Sequence, residues 1–307
     1  MKYENLYKVY KAVREIIPEG ELGLVGGCVR DALLGLEPKD YDFNTNLLPD
    51  RIEELAKQAG RHVYTIGKKY GTIGFKVKVD DKFQYVEITT YRDEQYDPNS
   101  RKPVVSFGAD LKEDIIRRDF TINSIWYGSL NPEQEPEIKD LLAGWNDLDL
   151  KRIKACREPQ KMLADDPLRI LRAVRFACKY GFNIEPNLYG TCRKKREQLW
   201  KVAIERQTVE FDKILTSGSA ERGLEILKDM GILDMLLPEL QDIRLAYDGD
   251  DADYAWKRLL HYVGGEMRYD DWGSSHYVFD RSRHDFLCQG LAARFKFSNK
   301  RLEVINE

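Results

Sequence analysis

Residues 24–45 read LVGGCVRDALLGLEPKDYDFNT, a stretch that joins a candidate phosphate turn to two closely spaced carboxylates. Leu24 and Val25 close an apolar run as the end of a buried strand would. Gly26 and Gly27 then allow backbone angles and ligand approach that a Cβ would obstruct. A helix is predicted to start there, with Val29, Ala32, Leu33 and Leu34 as its apolar face and Gly35 as its stop. Its free N–H groups would point at an incoming phosphate. After Pro38 the chain alternates as Asp40-Tyr41-Asp42-Phe43. If this is a strand, both carboxylates lie on one face and both aromatics on the other. Two carboxylates beside a phosphate turn suit Mg²⁺, which takes few protein ligands and completes its octahedron with water and substrate phosphate. Each signal alone is common: a Gly-Gly pair is usually a turn and an Asp-x-Asp pair is usually solvated.

At 307 residues the chain has room for two or three domains with real cores. No apolar run approaches the roughly 18 residues of a spanning helix, and the N-terminal segment lacks the apolar core of a signal peptide. A cytoplasmic protein is therefore expected. Cysteines at 28, 156, 178, 192 and 288 form no Cys-x-x-Cys pair and read as reduced, buried thiols, so neither disulfides nor zinc is indicated. The net charge of −3 conceals an asymmetry: residues 151–206 hold 15 Lys and Arg against 6 Asp and Glu. That excess of cations suits a polyanion, although a solvated helical face would look similar.

Residues 3–17 place Leu6, Val9, Tyr10, Val13, Ile16 and Ile17 at helical spacing. From His62 to Arg92 the period becomes two, with Ile73, Phe75, Val77 and Val79 on one strand and Val86 and Ile88 on another. Glu87 then faces away from the core, either as a third carboxylate of the metal site or as an ordinary edge residue. Residues 91–107 are polar, contain Pro98 and Pro103, and are too long for a tight hairpin connection; a mobile loop is expected. Asp166-Pro167 reads as an N-cap and first helical position, followed by Leu168, Leu171, Val174 and Ala177 up to a stop at Tyr180-Gly181. Arg169 follows Asp166 by three, so the two share one side of the first turn and offer an acceptor and a forked donor together. Arg172 and Arg175 extend this basic helix. Arg193, Lys194, Lys195 and Arg196 form a second cluster suited to RNA phosphates.

The string GGxVRDxLLG followed by Asp-x-Asp resembles the first motif of the class II tRNA nucleotidyltransferase and bacterial poly(A) polymerase family, within the polymerase β superfamily. Residues 117–127 (RRDFTINSIWY), 140–148 (DLLAGWNDL), 165–176 (DDPLRILRAVRF) and 204–215 (IERQTVEFDKIL) resemble its further motifs, in family order. The resemblance implies an α+β nucleotidyltransferase head with a mixed sheet over residues 1–149. An all-α neck over 150–240 and a shortened helical body over 241–307 would follow. It implies that Asp40 and Asp42 hold Mg²⁺, with Glu87 as a candidate third ligand, and that Gly26, Gly27 and Arg30 lie beside the nucleotide. Arg118 would approach its phosphates and Asp119 and Asn123 its ribose, while Asp166 and Arg169 would select cytosine or adenine with Arg172 and Arg175 nearby. Asp165 stands where the family usually has Glu. Arg101 occupies the place of a basic loop residue near the nucleotide, and Lys102 replaces a commoner Arg. Glu205, Arg206 and Glu210 match a motif that braces the selecting helix.

The activity implied is template-free addition of CMP and AMP from CTP and ATP to the 3′ end of tRNA. Within the family the rival is a poly(A) polymerase, whose segment after the acidic pair usually resembles RRFRLAHV. The GKKYGTIGF of residues 67–75 favours the tRNA enzymes, including ones that add only CC or only the final A. A noncatalytic RNA-binding protein with an inactive head is the alternative of another class. No protein partner is inferable and no membrane is expected. The C-terminal part resembles a degraded histidine-aspartate phosphohydrolase domain. His261-Tyr262 stands where His-Asp is expected and His284-Asp285 at a later position, which leaves too few ligands for a working metal site.

Overall fold

A computed structural model of the protein describes residues 3–95 and 104–236. It forms two compact units, the first ending at Glu158 and the second beginning at Pro159. Arg101 and the expected body at 241–307, with His261, Tyr262, His284 and Asp285, lie outside the described residues.

The first unit runs α1 (Glu4–Arg14), β1 (Leu22–Val25), α2 (Gly27–Leu33), β2 (Tyr41–Thr45), α3 (Pro49–Gln58), β3 (Val63–Tyr64), β4 (Thr72–Val79), β5 (Lys82–Thr90), β6 (Arg92–Gln95), β7 (Val104–Phe107), α4 (Leu111–Ile116), β8 (Trp126–Ser129), β9 (Glu137–Lys139) and α5 (Gly144–Asp149). Seven strands make one mixed sheet in the order β3-β4-β5-β2-β1-β8-β9. Only β2 and β5 run parallel; the other neighbours are antiparallel.

The alternation expected for the central strands decides which face is covered. Ile73, Phe75, Val77, Val86 and Ile88 are all buried, on the face where α1 and α3 pack. The α1 residues at helical spacing, Leu6, Val9, Tyr10 and Val13, are buried as well. At about 1.5–3 kcal/mol for each such side chain, this layer is what fixes the register of the sheet. The opposite face carries Asp42, Glu87 and Tyr85. Part of that face is closed by α4, where Val25, Tyr91, Leu111, Ile115 and Trp126 form a cluster.

Three expectations need correction. Strand β2 begins at Tyr41, so Asp40 sits in the bend just before it and not within the strand. Glu87 is no edge residue, because β5 lies inside the sheet and pairs Glu87 with Asp42 on one side and Gly74 on the other. The polar stretch at 91–107 is not simply a loop either, since its two ends pair as β6 and β7 with Arg92 opposite Phe107.

The second unit is helical where described: α6 (Pro159–Asp165), α7 (Arg169–Tyr180), α8 (Pro186–Lys195), α9 (Ile204–Leu215), α10 (Ala220–Asp229) and α11 (Leu233–Leu236). Helix α7 is its centre, packing Ile170, Leu171, Ala173, Val174 and Ala177 against α9 and α10. It starts at Arg169, later than expected. The Asp166 carboxylate accepts the Leu168 N–H at 3.2 Å, which makes residues 166–168 a turn ahead of the helix. Among the described residues no helix is long and apolar enough to cross a membrane.

Candidate active site

The turn between β1 and α2 is built as the sequence suggests. Gly26 caps α2 with φ +83° and ψ −136°, angles open essentially to glycine alone. A Cβ there would stand 3.7 Å from Nη1 of Arg118 and 3.8 Å from Oδ2 of Asp42. The glycine, the carboxylate and the guanidinium therefore border one small space. Asp40, Tyr41, Asp42, Tyr85 and Glu87 line the pocket beside it, of about 260 Å³.

Asp42 is open to this pocket, while protein surrounds it on its other sides. That crowding raises its carboxyl above the ordinary range; Arg118 opposes the effect, and the charges of Glu87 and Asp40 add to it. Carboxylates that repel one another at a pocket floor are an arrangement a cation relieves. Among the described residues, however, no three His, Cys, Asp or Glu side chains converge as a metal-binding group. Glu87 shares the pocket without completing a three-carboxylate ligand set, and its carboxylate accepts the Tyr85 hydroxyl at 3.2 Å.

Arg118 is held by an anchor that sequence reading overlooked. Asp114, fully buried, accepts Arg118 Nη2 at 3.1 Å, Arg117 Nη2 at 2.6 Å and Asn44 Nδ2 at 2.9 Å. Asn44 in turn accepts the Trp126 indole at 2.7 Å. Burial alone would push the Asp114 carboxyl up, but Arg118, Arg117 and the Asn44 hydrogen bond outweigh it and hold it at about 2. The signal was present in the i, i+4 spacing of Asp114 and Arg118, just after a capping box formed by Asp110 and Glu113. Nε of Arg118 is buried and has no hydrogen-bond partner among the described residues, while Nη1 of the same guanidinium is the atom nearest Gly26.

A second relay joins α2 to the turn at 119–123. Arg30 donates to Oδ1 of Asn123, and Asn123 Nδ2 donates to Asp119 at 3.0 Å. All three are buried. The stretch at 140–148 supports them from behind. Asp140 accepts the N–H groups of Gly144 and Trp145 at 2.8 Å each, and Asp147 accepts the Thr121 hydroxyl at 2.6 Å. Cys28, beneath the glycine turn, is inert: burial, with the charge of Asp42, pushes its thiol up to about 12.

In the helical unit, each member of the expected pair is engaged with other groups. Asp166 pairs with Arg206 at 2.8 Å in addition to its turn bond. Arg169 donates to the Met162 carbonyl at 3.2 Å, with the Asp165 carboxylate 4.0 Å away. Glu210, largely buried, lies 3.1 Å from Arg175 and 3.9 Å from Arg172. Helix α9 thus braces α7 through its charges. Arg193 and Lys194 are exposed at the end of α8, while Lys195 and Arg196 are half-buried, Arg196 donating to the Arg193 carbonyl at 2.9 Å. Cations at a helix C-terminus are also favoured by its dipole. The exposed Trp200 follows them closely and had not been singled out.

The family model of the poly A polymerase head domain matches residues 22–154, and the model described as the probable RNA and SrmB-binding site of polymerase A matches residues 181–243. The CCA-adding enzyme of Bacillus pumilus is 32% identical over 249 residues, 78% of this chain and 59% of that protein. That of Limosilactobacillus fermentum is 37% identical over 235 residues, 75% of this chain and 56% of that protein. The chain thus spans less than two thirds of the length of these curated relatives. The crystal structure of the Bacillus stearothermophilus CCA-adding enzyme in complex with CTP superposes with a TM-score of 0.67 at 26% identity, covering 98% of this chain and 68% of that one. The Thermotoga maritima CCA-adding enzyme complexed with tRNA, at 21% identity and a TM-score of 0.63, shares the fold and covers the same shares. With both family models matched in order and relatives of this identity, the chain belongs to the family of class II CCA-adding enzymes and bacterial poly(A) polymerases.

Proposed function

We propose that this chain adds CMP and AMP from CTP and ATP, without a template, to the 3′ end of tRNA, building or repairing its CCA terminus. The observation that carries this reading is the meeting of Gly26, Asp42 and Arg118 around one small space beside the carboxylate-lined pocket, with an unpartnered Nε on the guanidinium and repelling carboxylates in the pocket. CCA-adding relatives support it, as do solved CCA-adding enzymes in complex with CTP and with tRNA. A tRNA substrate is consistent with a cytoplasmic location.

Nucleotidyltransferases of this family are generally dependent on a divalent metal. The open pair Asp40 and Asp42 fits Mg²⁺, which needs only one or two carboxylates and keeps water and phosphate as its other ligands. When bound, the ion supplies Lewis acidity toward the attacking ribose hydroxyl and the departing pyrophosphate. The remaining work falls to side chains. Arg118, oriented by Asp114, donates to the triphosphate, and the Gly26 turn lets that group approach the backbone. The Arg30, Asn123 and Asp119 relay presents fixed polar atoms to the ribose. For the base, Asp166 accepts from the amino group of cytosine or adenine while Arg169 donates to their ring acceptors; uracil and guanine would set a carbonyl oxygen against the carboxylate. Arg172 and Arg175 add positive charge beside the nucleotide, and Arg193 through Arg196 meet RNA phosphates.

The test is incubation of tRNA lacking its CCA end with Mg²⁺ and each labelled nucleotide separately, then in pairs. CMP should enter first and AMP only after two cytidines, with UMP and GMP rejected. No incorporation of any nucleotide would overturn the reading. Long tails from ATP alone would favour a poly(A) polymerase, the reading that the description of the matched head domain supports.

A further inference from the structure

The face of the sheet that carries the carboxylates continues beyond them. On β5 it bears Glu87, Tyr85 and Phe83, and on β4 it bears Gly74, Lys76 and Lys78. The register sets Gly74 opposite Glu87, Lys76 opposite Tyr85 and Lys78 opposite Phe83. Each step away from the pocket thus pairs one aromatic with one cation, all exposed. Phe83 is 67% exposed in the second position of β5, where the buried alternation of Val86 and Ile88 has not yet begun.

The aromatic nearest the pocket is held in place. A Cβ at Gly74 would lie 2.2 Å from the Tyr85 hydroxyl, so only glycine there lets that ring settle across β4 and reach Glu87. Tyr64 on β3 then meets Tyr85 edge-on at 5.7 Å, and His62 meets Tyr64 in the same way at 5.0 Å. The row ends at the hairpin tip with Asp80 and Asp81, where Asp80 pairs with Lys8.

We propose that this open face of β4 and β5 is a binding track for the unpaired 3′-terminal nucleotides of the acceptor RNA, with bases stacking on Tyr85 and Phe83 and phosphates meeting Lys76 and Lys78. Aromatic faces accept any base, and interleaved cations follow a phosphate backbone, which is the combination that holds single strands without reading sequence. Residues two apart along a strand repeat at about 6.8 Å, a spacing an extended strand can follow base by base. The track is continuous with the pocket through Tyr85, so RNA lying on it would bring its end to the carboxylates. The inference rests on the proposed transferase reading for its ligand, and its test separates the two.

The probe is an RNA minihelix with 2-aminopurine at the second unpaired position from its 3′ end, titrated with protein in the absence of nucleotide. Wild type should quench the probe. Phe83→Ala and Lys78→Ala should each weaken binding, Phe83→Ala by about five- to a hundredfold, and Phe83→Trp should restore it. In turnover, Phe83→Ala should raise KM for tRNA and leave KM for CTP unchanged. Thermal melting checks that the variants are folded. Quenching and affinity unaltered in both Phe83→Ala and Lys78→Ala would overturn the track, whatever the activity. Phe83-dependent quenching by a protein that incorporates no nucleotide would instead retain the track and remove the transferase reading.

Discussion

Replacing Asp114 with Asn tests the device that aims Arg118 at the pocket. The side chain keeps its size and an acceptor for Asn44, but two buried-side guanidinium contacts lose their counter-charge. The Asp114 carboxyl is held down from 3.8 to about 2 in the folded protein. A difference of that size is worth about 2.5 kcal/mol of stability at neutral pH. Because the folded value is depressed, this stability is fully present above the unfolded value and is lost as pH falls through the folded one. Urea unfolding should therefore show Asp114→Asn less stable by about 2–3 kcal/mol at pH 7, with the gap to wild type narrowing between about pH 4 and pH 2. The same variant should raise KM for the nucleotide triphosphate, since Arg118 loses its orientation. Equal stability at pH 7, or a gap that stays constant into acid, would refute the idea that the Asp114 charge holds the two arginines.

Gly26→Ala should cost about 1–3 kcal/mol by thermal melting, from its φ of +83°, and should raise KM for nucleotide because the methyl occupies the space between Asp42 and Arg118; wild-type KM would place the phosphates elsewhere. Asp166→Ala should lose about tenfold or more of the selectivity against UTP and GTP while still transferring nucleotide. Unchanged selectivity would leave Asp166 as the turn-former of the Leu168 N–H and partner of Arg206. For the basic end of α8, Arg193→Ala combined with Lys194→Ala should flatten the logarithmic salt dependence of tRNA binding by roughly 1.4 to 1.8, two phosphate contacts' worth. A slope equal to wild type would assign those cations to the helix dipole alone.

Local alternation and helical spacing were legible because burial imposes them on each element separately. Ile73, Phe75, Val77, Val86 and Ile88 face one layer of helices, so their period of two is explicit, and Glu87 could be assigned to the other side. What Glu87 stands beside was not legible, because the parallel pairing of β2 with β5 joins residues 45 apart in sequence. The starts of β2 and α7 were displaced for local reasons: a bend at Asp40 precedes the strand, and Asp166 bonds its own turn before the helix begins. Residues 91–107 looked like a loop throughout because charge and proline hid the short ladder at their ends. The Asp114 anchor was hidden differently: an acid four residues before an arginine on a helix is usually a surface pair, and only the packing of Trp126 and Asn44 over it makes it a buried one.

The claim that Asp40 and Asp42 carry the chemistry is tested most directly by measuring labelled CMP incorporation and tRNA affinity side by side in Asp40→Ala and Asp42→Ala. Both carboxylates border the pocket and neither belongs to the basic helices, so incorporation should fall to background while the tRNA dissociation constant stays within about twofold of wild type. Full incorporation by both variants would contradict the account.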